Sequence, residues 1–118
     1  WAPCFYIAIR PESLGHVGLD DDSKKAKIKA MREAFVATQL PKFLDYFTKQ
    51  LDATGGGFLC GPEPTIADCA LVPQLRYFTK GLADFVPTTV LKPYPTILAY
   101  IDRFLSLPPV KEWYAAKA

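Results

Sequence analysis

Metal-binding and redox chemistry have few side chains to draw on here. The 118 residues include one histidine, His16, and three cysteines, Cys4, Cys60 and Cys69, with no Cys-x-x-Cys pair among them. So few ligands exclude a four-ligand zinc site, and the expectation is no metal. An odd, widely spaced set of cysteines is no disulfide framework, and a reducing, cytoplasmic compartment is expected. Neither sign of charge dominates: 14 basic against 12 acidic residues leave a net charge of +2. That is too mild for nucleic acid or an anionic membrane surface, so neither is an expected partner. No apolar run reaches the roughly 18–20 residues that span a bilayer, and there is no signal-peptide pattern. Repeats and low-complexity tracts are missing too.

What is present is core material. Half of the residues are hydrophobic and 14% are aromatic, so the chain is not expected to be disordered. Its length fits one domain, residues 1–118. It opens on Trp1-Ala2-Pro3-Cys4-Phe5-Tyr6-Ile7-Ala8-Ile9, an apolar stretch that looks like the inside of an element. An upstream segment is therefore expected in the parent protein. Pro3 and Pro11 frame a short helix better than a strand.

The elements after this read as helices. Residues from Glu12 to Asp22 form a loop, and Asp22 or Ser23 is placed to cap the next helix. There Ile28, Met31 and Phe35 recur at helical spacing, and Lys25, Lys29 and Arg32 sit on another face. With Lys24 and Lys27, these basic residues read as a solvated face. A second stripe follows Pro41, running Phe43, Leu44, Phe47, Leu51, and the proline predicts a kink or a break. Asp52 to Gly57 is a turn. Gly81 closes a further helix, Pro95 opens one carrying Ile97, Leu98, Ile101, Phe104 and Leu105, and Pro108-Pro109 ends it. A last short helix, Val110 to Ala116, carries Trp113 and Tyr114. No strand pair is legible. The result is an all-α bundle of about five or six helices.

The most informative segment is Gly61-Pro62-Glu63-Pro64-Thr65-Ile66-Ala67-Asp68-Cys69-Ala70-Leu71-Val72-Pro73-Gln74-Leu75. Thr65 and Asp68 are spaced as a capping box, in which each side chain reaches the other residue's backbone N–H. From Ile66 to Leu75 nearly every residue is apolar, which predicts a helix buried on all sides at the centre of the domain. Cys69 would then be inert, and Cys60, in a loop, more accessible.

That segment resembles the one that opens the central buried helix in the C-terminal domain of cytosolic glutathione transferases. The stretch Leu40-Pro41-Lys42-Phe43-Leu44-Asp45-Tyr46-Phe47 is similar to that family's long helix. Tyr94-Pro95-Thr96-Ile97-Leu98-Ala99-Tyr100 and Leu107-Pro108-Pro109-Val110-Lys111 are similar to its closing segments. The ordered set is more specific than Ser/Thr-x-x-Asp alone. Pro62 stands where the family often has Asp, and the staple around the cap would pair Pro64 with the small Cys69. The run from Ala67 to Pro73 is similar to the zeta class, the dehydroascorbate reductases and the chloride intracellular channel proteins alike.

The resemblance implies a glutathione transferase C-terminal-like fold and a parent protein of detoxification type. Its glutathione cosubstrate would be bound by an N-terminal thioredoxin-like domain, the partner in cis that is not in this chain. The full-length form could be a homodimer. The chain by itself is expected to bind no cofactor and to hold no catalytic residue. Its implied part is to wall the electrophile pocket and to brace the missing domain. Tyr6 and Arg10, four apart on one face, and Trp113 are the candidate pocket residues. Thr65 and Asp68 are the structural pair. The competing expectation is a non-catalytic protein-protein interaction module with the same helical fold.

Overall fold

The computed structural model describes residues 10–118. The predicted Pro3–Arg10 element, with Cys4 and Tyr6, lies outside the described residues except for Arg10. Among the described residues the architecture is all-helical. After a 3-10 turn at Pro11–Leu14 come α1 (Asp21–Ala34), α2 (Leu40–Ala53), α3 (Ile66–Thr79), α4 (Pro95–Leu105) and α5 (Pro108–Ala115). α1 and α2 are joined by a π-helical turn, Phe35–Gln39, so the five segments make four rods. At about 1.5 Å per residue the α1–α2 rod accounts for the molecule's 49 Å long axis.

Local chemistry sets most of the boundaries. α1 starts two residues earlier than a cap at Asp22, and three earlier than one at Ser23, would allow, because Asp20 is the cap. Its carboxylate accepts from the Ser23 N–H at 2.7 Å, and Asp21 and Asp22 occupy the positive end of the helix dipole. Pro41 does not break the rod. The i→i+5 spacing of the π turn, with the Leu40 N–H on the Phe35 carbonyl, absorbs the irregularity just before the proline. Pro95, Pro108 and Pro109 sit in the first turns of α4 and α5, where a missing N–H costs nothing. Pro108-Pro109 thus opens α5 as well as following α4.

The core joins Leu40, Leu44 and Leu51 of α2 to Val72, Leu75 and Phe78 of α3 and to Ile97, Tyr100, Ile101 and Phe104 of α4. α4 packs against α2, α3 and α5. Phe35 meets Phe78 with ring centroids 6.1 Å apart. α3 is not buried on all sides. It buries Asp68, Val72, Leu75 and Phe78, whereas Ile66 is 87% exposed and Cys69, Ala70 and Pro73 share that open side. The open face also explains how Pro73 fits inside the helix. The carbonyl that loses its helical partner, four residues earlier, belongs to solvent-facing Cys69.

One further expectation is corrected. Arg32 is not on the solvated face with its neighbouring lysines. It is 4% exposed, and its Nη1 donates to the Asp84 carbonyl at 3.0 Å. That bond ties α1 to the irregular segment between α3 and α4, where Phe85 holds a left-handed backbone, φ 62°. Phe43 belongs to an apolar stripe, but it is 39% exposed.

The connection from α2 to α3 is a tightly strapped turn. Gly56 adopts φ 74° and donates its N–H to the Leu51 carbonyl at 2.9 Å. Gly57 has a steric role, since a Cβ there would lie 2.6 Å from the Gly61 carbonyl oxygen, across the Phe58–Gly61 bridge. Gly57→Ala is therefore expected to destabilise the chain by about 1–3 kcal/mol, the usual cost of forced overpacking. A urea melt gives the value, and an unchanged midpoint would contradict it.

Candidate functional site

The structure gathers two of the sequence-predicted residues, Thr65 and Asp68, into one buried polar cluster at the start of α3. Asp68 is 0% exposed. Its Oδ1 accepts from the Leu59 N–H at 3.0 Å and from the Tyr100 hydroxyl at 2.8 Å. Its Oδ2 accepts from the Thr65 N–H at 2.7 Å and the Thr65 hydroxyl at 3.1 Å. The Asp68 N–H is 3.1 Å from the Thr65 carbonyl, with the Thr65 side chain beside it at the helix start. Four donors match the acceptor capacity of an ionised carboxylate.

The electrostatics follow from this count. Burial pushes the Asp68 carboxyl upward, but the Leu59 and Thr65 N–H groups and the Tyr100 and Thr65 hydroxyls together outweigh it. They hold the group below its ordinary value of 3.8. Burial, then the Asp68 hydrogen bond and charge, drive Tyr100 well above the ordinary tyrosine value of 10.0. The folded chain thus keeps a charged acceptor and a neutral donor.

Stability should respond at both ends of the pH scale. The depressed Asp68 value contributes stability that is present above pH 3.8 and lost as pH falls through the lower folded-state value. The raised Tyr100 value contributes stability that is complete below pH 10.0 and lost as pH rises beyond it. Urea midpoints against pH should show a plateau with two falling limbs. Asp68→Asn should flatten the acid limb, and an acid limb identical to the parent's would contradict this assignment.

Around this cluster the α2–α3 turn is tied down from several sides. Gln50 Nε2 donates to the Leu59 carbonyl at 2.8 Å, the Thr54 hydroxyl to the Phe58 carbonyl at 2.7 Å, and Arg103 Nη1 to the Gly57 carbonyl at 2.7 Å. The Phe58 and Tyr100 rings meet edge-on at 6.4 Å. Among the described residues, no buried side-chain nitrogen or oxygen lacks a partner.

Above the cluster lies an apolar hollow of about 410 Å³ between α2 and α3. It is lined by Phe43, Phe47, Leu59, Ala67, Ala70, Leu71 and Gln74. A second hollow of about 430 Å³, sharing Phe43 and Phe47, extends it to Gln39, Lys42 and Tyr46. Tyr46 is 65% exposed. Leu59 links hollow and cluster, because its side chain lines the one and its N–H is held by the other.

The remaining predicted residues are scattered. Arg10 is exposed and precedes the 3-10 turn, where its carbonyl accepts from the Ser13 hydroxyl at 2.8 Å. Tyr6 lies outside the described residues, so the Tyr6–Arg10 pair has no described geometry. Trp113 is 54% exposed and carries Lys117 Nζ over its ring at 4.5 Å. Tyr114, next to it, stacks on the Arg76 guanidinium of α3 at 4.2 Å. Cys60 and Cys69 are both exposed free thiols, so the expected burial of Cys69 is corrected. Its side of α3 is the open one.

Sequence reasoning missed Tyr100 and Leu59. Tyr100 is 32 residues from Asp68, and nothing in either local pattern points to the other. Its only signal is a phenol among the apolar positions of α4. Among the described residues, no group of three or more histidine, cysteine, aspartate or glutamate side chains is placed to hold a metal ion. No described helix is long and apolar enough to cross a membrane.

Comparison with known proteins agrees with the helical architecture. No curated relative and no solved structure matches the chain. The family described as glutathione S-transferase, C-terminal domain, matches residues 14–117. That span takes in the capped helix, the strapped turn, the apolar hollow and all five helices, and the chain belongs to this family.

Proposed function

We propose that this chain is the helical half of a glutathione transferase-like protein. It braces a thioredoxin-like, glutathione-binding domain carried by the same polypeptide and walls the pocket for the electrophile. The observation that carries the reading is the apolar face on α2 and α3. Ile66 is 87% exposed, and Ala67, next to it in the chain, and Ala70, one turn on, line the hollow together with Phe43, Phe47 and Leu71. Contiguous apolar surface of this kind marks an interaction site, and the family supplies a partner domain of the right kind. Thr65 and Asp68 act structurally, fixing the turn and helix start from which Leu59, Ala67 and Ala70 project. Glutathione is held by the partner domain, and the chemistry belongs there. Tyr6, Arg10 and Trp113 contribute to the electrophile wall. The full-length protein is a cytoplasmic detoxification enzyme that can pair as a homodimer.

The test is the protein in its native cell, isolated with an antibody raised against this chain. The expected polypeptide is well above the 13.1 kDa of these residues. It should carry a thioredoxin-like sequence before Trp1, bind immobilised glutathione and conjugate it to an electrophile. A native polypeptide of 13.1 kDa would overturn the reading and leave the interaction module.

The docking face gives a separate prediction. Ile66→Asp should change the stability of the 118-residue chain by no more than about 0.5 kcal/mol, as for other exposed positions. In the full-length protein it should lower the melting temperature and split unfolding into two transitions. An equal effect in both would place Ile66 outside any interface between domains.

A further inference from the structure

We draw no further inference here: the strongest candidate, the exposed thiols of Cys60 in the α2–α3 turn and Cys69 in the first turn of α3, carries nothing because, among the described residues, no second group aimed at either thiol points to a ligand or an oxidant.

Discussion

Replacing Asp68 by alanine should lower the stability of the chain by about 3–5 kcal/mol, the range for removing one member of a buried charged network. The carboxylate gathers four donors from three parts of the chain: Leu59, Thr65 and Tyr100. Alanine deletes all four bonds at once. Water cannot readily replace them, because Asp68 is completely buried. The Tyr100 hydroxyl and the Leu59 N–H would be left in the core without this acceptor, each at a cost of roughly 1–3 kcal/mol. For a domain of this size the loss corresponds to a fall in melting temperature on the order of 10–20 °C. Thermal melts of Asp68→Ala, Asp68→Asn and Tyr100→Phe separate the contributions. Tyr100→Phe keeps the ring against Phe58 and removes one donor, so it should cost about 1.5–3 kcal/mol, as for a hydrogen bond to a charge. If alanine and phenylalanine variants both melt like the parent, the carboxylate is not what holds the turn to α3.

Arg32→Met should cost about 2–3 kcal/mol, and Arg32→Lys should recover little of it. The guanidinium is 4% exposed and donates to the Asp84 carbonyl across a sequence separation of 52 residues. Methionine matches the length and apolar stem but donates nothing, so the carbonyl loses its partner. Lysine restores the charge but not the planar fork, and a buried ammonium is more costly to desolvate. The measurement is a urea melt of the three proteins. Its companion is amide exchange around Asp84 and Phe85, which should quicken in both variants. Lys29→Met, three residues away and on the exposed Lys29–Glu33 pair, is the control and should stay within about 0.5 kcal/mol.

The contrast between Arg32 and its neighbours shows where sequence reading stops. Lys24, Lys25, Lys27, Lys29 and Arg32 look alike in a helical pattern, and only the tertiary path of residues 80–94 buries one of them and gives it a backbone acceptor, the Asp84 carbonyl. Helix identity was legible because it rests on local signals: the Thr65–Asp68 spacing, the glycines of the α2–α3 turn, and the prolines at the first turns of α4 and α5. Burial was less legible. Apolar residues all round α3 predicted burial all round, yet the described residues cover only the side carrying Val72, Leu75 and Phe78. Periodicity reports that a surface wants cover, and it says nothing about which chain segment supplies it. The same gap hid Tyr100, whose partner lies on another helix.

The π turn at Phe35–Gln39 has a consequence for the phase of the long rod. Ile28, Met31 and Phe35 are spaced by three and four residues, and so are Leu40, Leu44, Phe47 and Leu51, but Phe35 and Leu40 are five apart. In an uninterrupted α-helix five residues turn through about 500°, which would point Phe35 and Leu40 some 140° apart. The wider turn takes up the surplus residue, and both side chains reach the core, 6% and 0% exposed. The rod thus behaves as two ordinary amphipathic helices spliced with one extra letter. A chain lacking one residue between Val36 and Gln39 would keep the same inward face as a plain α-helix.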